Sequence, residues 1–254
     1  KKAHTLIDAG YSGDINGEAY SSIFFQNANN SVRVNDAFMR MVETDGEWWT
    51  KNVTDGEPCE RFKARELMQQ IAQAAWECGD PGIQYDTTVN DWHTSANTDR
   101  IYASNPCSEY MFLDDSACNL ASINLMRCRK PNGEFDVAAF EHCCKIIITA
   151  QEILVGFSSY PTPAIEQNSY DYRPLGLGYA NLGSLLMTMG LAYDSDEGRN
   201  IAAAITSIMS GSAYEQSSHI AEKLGAFHGY TKNAEPMTRV MHKHRDASYR
   251  IASS

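Results

Sequence analysis

The sequence has no long apolar run and no excess of positive charge. A transmembrane helix needs roughly 20 mostly apolar residues, and no stretch of this chain approaches that length without polar interruption. The 32 acidic residues outnumber the 21 basic ones, which leaves a formal net charge of -11. Surfaces that bind nucleic acid or anionic membranes are basic, so both classes of partner are disfavoured. A nucleotide ligand stays compatible, because it needs only a local positive site or a helix N-terminus.

The sequence also lacks a C-x-x-C pair, internal repeats and a signal peptide. Zinc sites use closely spaced ligands, and the adjacent Cys143 and Cys144 would point about 100° apart on a helix, so no metal site is predicted. The seven cysteines are an odd number, which is typical of reduced thiols. The start of the chain has an acid, Asp8, and no apolar core of signal-peptide length. These features predict a cytoplasmic protein.

The composition is that of an ordinary globular protein. Hydrophobic residues make up 43% and charged residues 21% of the 254 residues. That length can bury one large core or two smaller ones. The first residues resemble the tail of a helix that stops at Gly10, and the charged stretch 239–250 has no finishing cap. We therefore expect the chain to be the middle of a longer enzyme.

Helical and strand-like patterns alternate along the chain, which indicates an α/β fold. Helices are predicted from Asp36 to about residue 46 and at residues 64–78, 135–157, 179–189 and 194–224, and strands within residues 21–34, 47–53 and 83–85. Asp36 is predicted to cap its helix. The glycines of Gly176-Leu177-Gly178 have the wrong spacing for a dinucleotide-binding loop. They are interpreted as small residues for close helix packing.

The residues best suited to chemistry lie between residues 103 and 125. Cys107 and Cys118 stand eleven residues apart, each near an asparagine. Pro106 disfavours helix for Asn105. If the backbone is extended, Asn105, Cys107 and Glu109 share one face and present an amide, a thiol and a carboxylate together. The alternative interpretation is a turn with one buried cysteine, since free cysteine is among the most buried residue types.

Five segments resemble the large catalytic subunit of ribonucleotide reductases and run in that family's order over nearly the whole chain. The most specific are Asn105-Pro106-Cys107-Ser108-Glu109 and residues 117–125, ACNLASINL. The others are residues 26–34, QNANNSVRV, residues 76–82, WECGDPG, and residues 173–178, RPLGLG. The residues of these segments are most similar to those of the class II branch of the family, which depends on adenosylcobalamin.

The resemblance implies a ten-stranded α/β barrel whose central finger loop carries a cysteine at its tip. Residues 1–254 would be the central, incomplete part of that catalytic barrel domain. By resemblance Cys107 forms a thiyl radical, Glu109 is the base, Asn105 anchors the substrate and Cys118 belongs to the reducing cysteine pair. Its partner lies upstream in the family. The predicted substrate-binding residues are Ser104, Gln26, Asn27 and Asn29. The loop before Gln26 resembles the family's specificity loop, and the resemblance implies that Gln26, Asn27 and Asn29 line the nucleoside site.

The resemblance also implies ligands and partners. They are adenosylcobalamin, dNTP or ATP effectors, a ribonucleotide substrate, which we expect to be a diphosphate, and thioredoxin or a similar dithiol; a homodimer is possible. Three alternatives stay open: a class I large subunit with a separate metal-containing radical subunit, a catalytically silent nucleotide-binding module, and a thiol hydrolase that pairs Cys107 with His93. The isolated chain of 254 residues is predicted to have no catalytic activity.

Overall fold

A computed structural model of the chain describes residues 2–14, 16–24 and 28–252. The chain forms two compact units, residues 1–87 and 88–254. Helices and short strands alternate in the chain, so the predicted α/β class is confirmed. A search of the described residues for a helix of sufficient length and hydropathy to span a membrane finds none.

The first unit pairs its described strands into two small sheets. Its elements are α1 (Lys2–Asp8), α2 (Glu18–Ser21), β1 (Ser31–Val34), α3 (Asp36–Glu43), β2 (Glu47–Lys51), β3 (Pro58–Lys63), α4 (Ala64–Cys78) and β4 (Gly82–Tyr85), after which α5 (Asp86–Asp91) follows. Strand β1 is parallel to β4, and β2 is antiparallel to β3. The buried Phe38 packs edge-on against Trp48, with ring centroids 5.3 Å apart.

Two predictions in this unit are wrong in detail. The cap of α3 is Asn35 and not Asp36, because Asn35 has the extended backbone of a cap and its side chain accepts a hydrogen bond from the Phe38 N–H. Within the described part of residues 21–34, the predicted strand is shorter than the β-prone stretch and spans Ser31–Val34, the four residues that pair with β4. The helix predicted at residues 64–78 is confirmed as α4, which ends at Gly79 with φ of +81°.

The second unit contains one described two-stranded parallel sheet covered by helices. Its elements are β5 (Asn119–Asn124), a 3-10 helix (Leu125–Cys128), α6 (Val137–Phe157), α7 (Pro163–Tyr172), β6 (Leu175–Ala180), α8 (Leu182–Thr188), α9 (Asp196–Leu224) and α10 (Tyr230–Ser248). Asn119 lies opposite Leu175, and Asn124 lies opposite Ala180. Parallel strands need a crossover connection, which α6 and α7 provide here.

The two faces of this sheet differ in side-chain size. Ile123, Leu177 and Tyr179 pack into the core of the unit with Phe140 and Ile205. Alternation along the strands places Cys118, Leu120, Gly176 and Gly178 on the opposite face. The interpretation of Gly176 and Gly178 as helix-packing residues is therefore wrong. They belong to strand β6, and the helix predicted at residues 179–189 is reduced to α8.

Helices α6 and α9 bear out the long helices predicted at residues 135–157 and 194–224. Ser195 caps α9 by accepting a hydrogen bond from the Gly198 N–H. The two helices pack against each other, with an ion pair of 2.6 Å between Lys145 and Glu215 and a hydrogen bond from Gln216 to Thr149. The middle of α6 is thus held against α9, and α6 also packs on β5 and β6.

Candidate active site

Cys107 lies at the tip of a tight turn. The Ser108 N–H donates to the Asn105 carbonyl oxygen at 3.1 Å, and Ser108 has φ of +64°. The backbone here forms a turn, so the extended geometry on which the shared face depended is absent; proline suits the second position of such a turn. Strand alternation does not align the three predicted side chains. Cys107 and Glu109 are exposed, and the predicted alternative of a buried cysteine in the turn is right only about the turn.

Hydrogen bonds within the segment hold the shape of this turn. The Asn105 side-chain oxygen accepts a hydrogen bond from the Tyr110 N–H at 3.0 Å, and the side-chain NH2 group takes no part in this bond. The Ser104 hydroxyl donates to the Asn105 carbonyl oxygen at 2.8 Å. Ser104 and Asn105 are both half-buried. The turn is thus built on polar side chains at its base and presents the thiol at its tip.

Cys118 is the residue immediately before β5, and the charge of Glu109, just after the turn, acts on its thiol. Burial and, to a smaller extent, the negative charge of Glu109 together raise the pKa of the Cys118 thiol to about 11. The Glu109 carboxylate therefore lies close enough to act on the sulfur. At neutral pH Cys118 is a protonated thiol. The structure brings together two of the predicted catalytic residues, Glu109 and Cys118, which are nine positions apart in the sequence.

A ring cluster supports the loop between the two cysteines, and the sequence analysis missed it. Phe112 contacts Tyr110, His93 and Tyr172 at centroid distances of 6.2, 5.8 and 6.0 Å. The Tyr110 hydroxyl bonds the Ser116 hydroxyl at 2.8 Å, and burial raises the pKa of Tyr110. Tyr110, Phe112 and His93 lie in irregular backbone, where no periodic pattern marks an inward-facing side chain, and Tyr172 is the last residue of α7.

His93 is a structural residue of the loop that leads to the turn. It is buried, its Nε2 bonds the Asp99 carbonyl oxygen at 3.0 Å, and its Nδ1 accepts from the Ser95 N–H at 3.3 Å. Burial lowers the pKa of His93, so the ring is neutral with both nitrogens engaged. This arrangement leaves no ring nitrogen to activate Cys107, and it argues against the thiol-hydrolase alternative.

The same loop is tied to the start of α10. Asn233 is fully buried; its side-chain oxygen accepts from the Asn97 N–H at 3.0 Å, and its NH2 group donates to the Thr98 hydroxyl at 2.7 Å. The Tyr172 hydroxyl also donates to Thr98. These contacts fix the backbone just ahead of the cysteine turn. Sequence patterns did not single out Asn233, because a buried asparagine inside a charged helix has no periodic signature.

The remaining predicted site residues belong to the first unit. Gln26 and Asn27 lie outside the described residues, and Asn29 is an exposed residue of the coil before β1. Their predicted contact with a nucleoside stays a prediction. Among the described residues, no cluster of three or more His, Cys, Asp or Glu side chains is arranged to hold a metal ion.

The arrangement provides an exposed thiol at a turn tip, a neighbouring carboxylate, and a protonated thiol at the edge of a sheet. An exposed thiol is accessible to a radical or an electrophile. A carboxylate beside a protonated thiol can take up a proton, while the thiol can supply one. This set of groups fits redox chemistry on a polar substrate better than hydrolysis.

Comparison with known proteins gives a consistent family match. Residues 14–250 match the model of the ribonucleotide reductase barrel domain. The chain is 52% identical over 253 residues to a vitamin B12-dependent ribonucleotide reductase of Rhodopirellula baltica, covering 99% of this chain and 24% of that protein. It is 48% identical over 252 residues to a protein of the same name from Streptomyces avermitilis, covering 98% of this chain and 26% of that protein.

A more distant relative carries a more specific name. The chain is 34% identical over 203 residues to a vitamin B12-dependent ribonucleoside-diphosphate reductase of Mycobacterium tuberculosis, covering 80% of this chain and 29% of that protein. The chain thus spans about a quarter of the length of these relatives.

Proposed function

Because this chain belongs to the ribonucleotide reductase barrel-domain family, we propose that the protein carrying it reduces ribonucleotides to 2′-deoxyribonucleotides through a thiyl radical. The observation that carries the proposal is the placement of the exposed Cys107 thiol on the same loop as Glu109, whose charge acts on Cys118. The resemblance of the two cysteine segments to the family signature assigns the roles.

In this mechanism Cys107, as a thiyl radical, removes the hydrogen atom from the ribose 3′ carbon. Glu109 accepts the proton of the 3′ hydroxyl, and the 2′ hydroxyl leaves as water after it is protonated. Cys118 and a second thiol from another part of the complete protein supply two electrons and two protons and become a disulfide. The 3′ hydrogen atom then returns from Cys107, which regenerates the radical.

The contacts of each residue support its role. The Asn105 oxygen is held by the Tyr110 N–H, so the side-chain NH2 group is the donor that we assign to a substrate hydroxyl. The raised pKa of Cys118, about 11, keeps a proton on the sulfur at neutral pH, where it can be given to a leaving hydroxyl. The Ser104 hydroxyl donates to the Asn105 carbonyl oxygen and so stabilises the turn. We assign Ser104 to the residues that bind the substrate.

Adenosylcobalamin is the proposed cofactor, as in the relatives named vitamin B12-dependent. When bound, it supplies the radical that activates a thiol. The exposed position of Cys107 fits this requirement, because a group outside the turn can reach its sulfur. We assign no described residue to holding the cofactor.

The finer assignments extend the same proposal. The substrate is a ribonucleoside diphosphate, the reductant of the disulfide is thioredoxin or a similar dithiol, and dNTP or ATP effectors regulate specificity, with Gln26, Asn27 and Asn29 lining the nucleoside site. Residues 1–254 form the central part of the catalytic barrel domain of a possible homodimer. All seven cysteines are free thiols, which supports a reducing compartment such as the cytoplasm.

The test uses the complete protein that contains this chain. It is incubated with CDP, a dithiol and a dNTP effector, with and without adenosylcobalamin, and deoxycytidine product is measured. We expect product only with the cobalamin, and none from Cys107→Ser even though that variant still binds CDP. The matched control Cys59→Ser removes another exposed thiol and should keep activity.

Other outcomes favour the alternatives. Product that requires an added iron or manganese subunit and no cobalamin identifies a class I enzyme and leaves the residue roles in place. Nucleotide binding that is indifferent to Cys107, Glu109 and Cys118, with no product under any condition, supports the silent module and contradicts the proposal.

A further inference from the structure

The sulfur of Cys118 occupies space that strand β6 leaves open at Gly176. The parallel register sets Leu120 opposite Gly176. A Cβ atom built on Gly176 would lie 2.5 Å from the Cys118 Sγ and 2.7 Å from the Leu120 Cδ2. Carbon and sulfur atoms that are not bonded do not approach this closely. Any residue other than glycine at this position would have to displace the sulfur or the strand.

The need for glycine at this position is steric and not conformational. Gly176 is absent from the glycines with positive φ in the described chain, so its backbone suits any residue. Gly178 lies two positions further along the same face of β6, and a Cβ atom there would lie 3.6 Å from the Ser122 Oγ, an ordinary contact. The two glycines therefore share strand, face and backbone type and differ in what they touch.

Gln151 of α6 fixes the distance between the two strands at this point. Its side-chain NH2 group donates to the Asn119 and Gly176 carbonyl oxygens, each at 2.7 Å. The Gln151 carbonyl oxygen in turn accepts from the Asn119 side chain at 3.2 Å. Gln151 is only 2% exposed, so water does not compete for these bonds. We call this pair of hydrogen bonds the Gln151 clamp. It joins Asn119, the residue after Cys118, to Gly176, which contacts the Cys118 sulfur.

The start of β6 is anchored to the same part of α6. The Arg173 Nε lies 2.5 Å from the Glu152 carboxylate, and the Arg173 Nη2 donates to the Glu152 carbonyl oxygen at 2.8 Å. Gln151 and Glu152 are adjacent on the helix. Two consecutive helix residues therefore hold the backbone of β6 next to Cys118.

We propose that Gly176 is a positioning residue for the Cys118 thiol and that Gln151 keeps β5 and β6 at the separation this placement needs. The Cys118 side chain is half-buried, and its sulfur lies against Gly176. Its effect on turnover rests on the proposed function of Cys118 as a reductant, whereas the placement itself rests on the contacts alone.

The first test compares Gly176→Ala with Gly178→Ala in the complete protein. The rate of alkylation of Cys118 by iodoacetamide is followed by peptide mass spectrometry from pH 7 up to the pKa of the thiol, about 11. Gly176→Ala should push the Cys118 sulfur toward solvent, where the thiolate forms more easily. The pH profile of Cys118 alkylation should therefore move to lower pH, and the alkylation rate at a fixed pH should rise by roughly 10-fold. Gly178→Ala should leave the Cys118 profile unchanged.

Turnover is measured on the same Gly176→Ala protein. A shift of about 1 Å in a reacting group costs roughly 100-fold in rate, so kcat should fall by that order while KM for CDP changes little. A purely structural defect would alter substrate binding and the reactivity of the other cysteines as well.

A second pair of variants tests the steric cause. If the clash with sulfur is the main reason, Gly176→Ala should lower the unfolding temperature by more in the wild-type background than in the Cys118→Ala background, where only the clash with the Leu120 Cδ2 is left. An equal loss in both backgrounds overturns the inference. Gly178→Ala should behave identically in both backgrounds.

The clamp is tested with Gln151→Met, which removes the donor to both strand carbonyls. It should shift the Cys118 alkylation profile in the same direction as Gly176→Ala. Gln216→Met is the matched control, because Gln216 is a half-buried helical glutamine that bonds the Thr149 hydroxyl and not the sheet.

The inference and the proposed function fail in different ways. If Cys118→Ser retains product formation, the reductant role is wrong, and the alkylation profiles still report whether Gly176 places the sulfur. If Gly176→Ala and Gly178→Ala give the same Cys118 profile, the inference is wrong, and loss of product in Cys118→Ser still supports the function.

Discussion

Cys118 and Cys107 are two thiols of one loop segment in opposite environments. Cys107 is exposed at the tip of a turn, whereas Cys118 is half-buried with its pKa raised to about 11 by burial and by the Glu109 charge. A thiol that starts a radical reaction has to be reached from outside. A thiol that supplies a proton and electrons benefits from staying protonated. The environments of the two thiols therefore match their proposed roles, Cys107 as the radical and Cys118 as the reductant.

The coupling between Glu109 and Cys118 yields a prediction. Glu109→Gln removes a negative charge near the sulfur, so the Cys118 thiolate becomes easier to form and the pKa of Cys118 falls from about 11. The alkylation profile of Cys118 should therefore move to lower pH, while kcat should drop by roughly 100- to 10,000-fold through loss of the base.

Peptide-resolved alkylation and steady-state kinetics on the complete protein measure both effects. Glu141→Gln is the control, since Glu141 is an exposed carboxylate of α6 that acts on Cys144 and is not among the causes of the Cys118 shift. An unchanged Cys118 profile in Glu109→Gln would show that the two groups do not interact.

At the scale of elements, the cysteine turn depends on the loop before it, and that loop depends on α10. Asn233 binds the Asn97 N–H and the Thr98 hydroxyl, and it also donates to the Gly229 carbonyl oxygen at 2.8 Å. His93 closes the other end of the loop through Asp99 and Ser95. A helix far along the chain thus orients the segment that leads to Cys107.

Asn233→Ala is predicted to weaken this support. The substitution removes the three hydrogen bonds of the buried Asn233 side chain and opens a small cavity, which together cost about 2–4 kcal/mol. Thermal unfolding of the complete protein should show a lowered transition for the domain that contains this chain. Hydrogen exchange should rise in residues 95–99.

Thr238→Ala serves as the control on the same helix, because Thr238 is exposed. It should change stability by less than about 0.5 kcal/mol. Equal effects of the two substitutions would mean that the Asn233 bonds do not hold the loop.

At the scale of the whole molecule, the described sheets are small and large apolar side chains lie exposed. Within the described residues the strands pair only as β1 with β4, β2 with β3, and β5 with β6. On α6, the side chains of Ile146, Ile153 and Phe157 are 57%, 56% and 86% exposed. Exposed apolar patches of this kind mark surfaces that meet other protein.

The 254-residue chain alone is predicted to form no deoxynucleotide. The proposed cycle needs a second thiol to pair with Cys118 and a bound radical source, and we assign neither to the described residues. The chain, refolded alone and assayed with CDP, dithiol and adenosylcobalamin, should yield no product, while the complete protein serves as the positive control. Steady product from the chain alone would contradict the proposed roles.

Local patterns were sufficient for the long elements and for the family. Helix α4 follows from apolar residues at three- and four-residue steps ended by Gly79, and α9 follows from its acidic first turn, which suits a helix N-terminus. The motifs around Cys107 and Cys118 identify the ribonucleotide reductase family because their order and spacing are specific. Such signals depend on neighbours within a few residues, so the sequence carries them directly.

The geometry of the site depends on contacts between distant parts of the chain. The turn at Cys107 is closed by hydrogen bonds that compete with the extended form, and the strand identity of Gly176 and Gly178 follows from pairing with β5. The position of the Cys118 sulfur over Gly176, held by Gln151, requires the register that the α6 and α7 crossover sets. Pairing and packing select among local conformations of similar energy, and no short-range pattern encodes that selection.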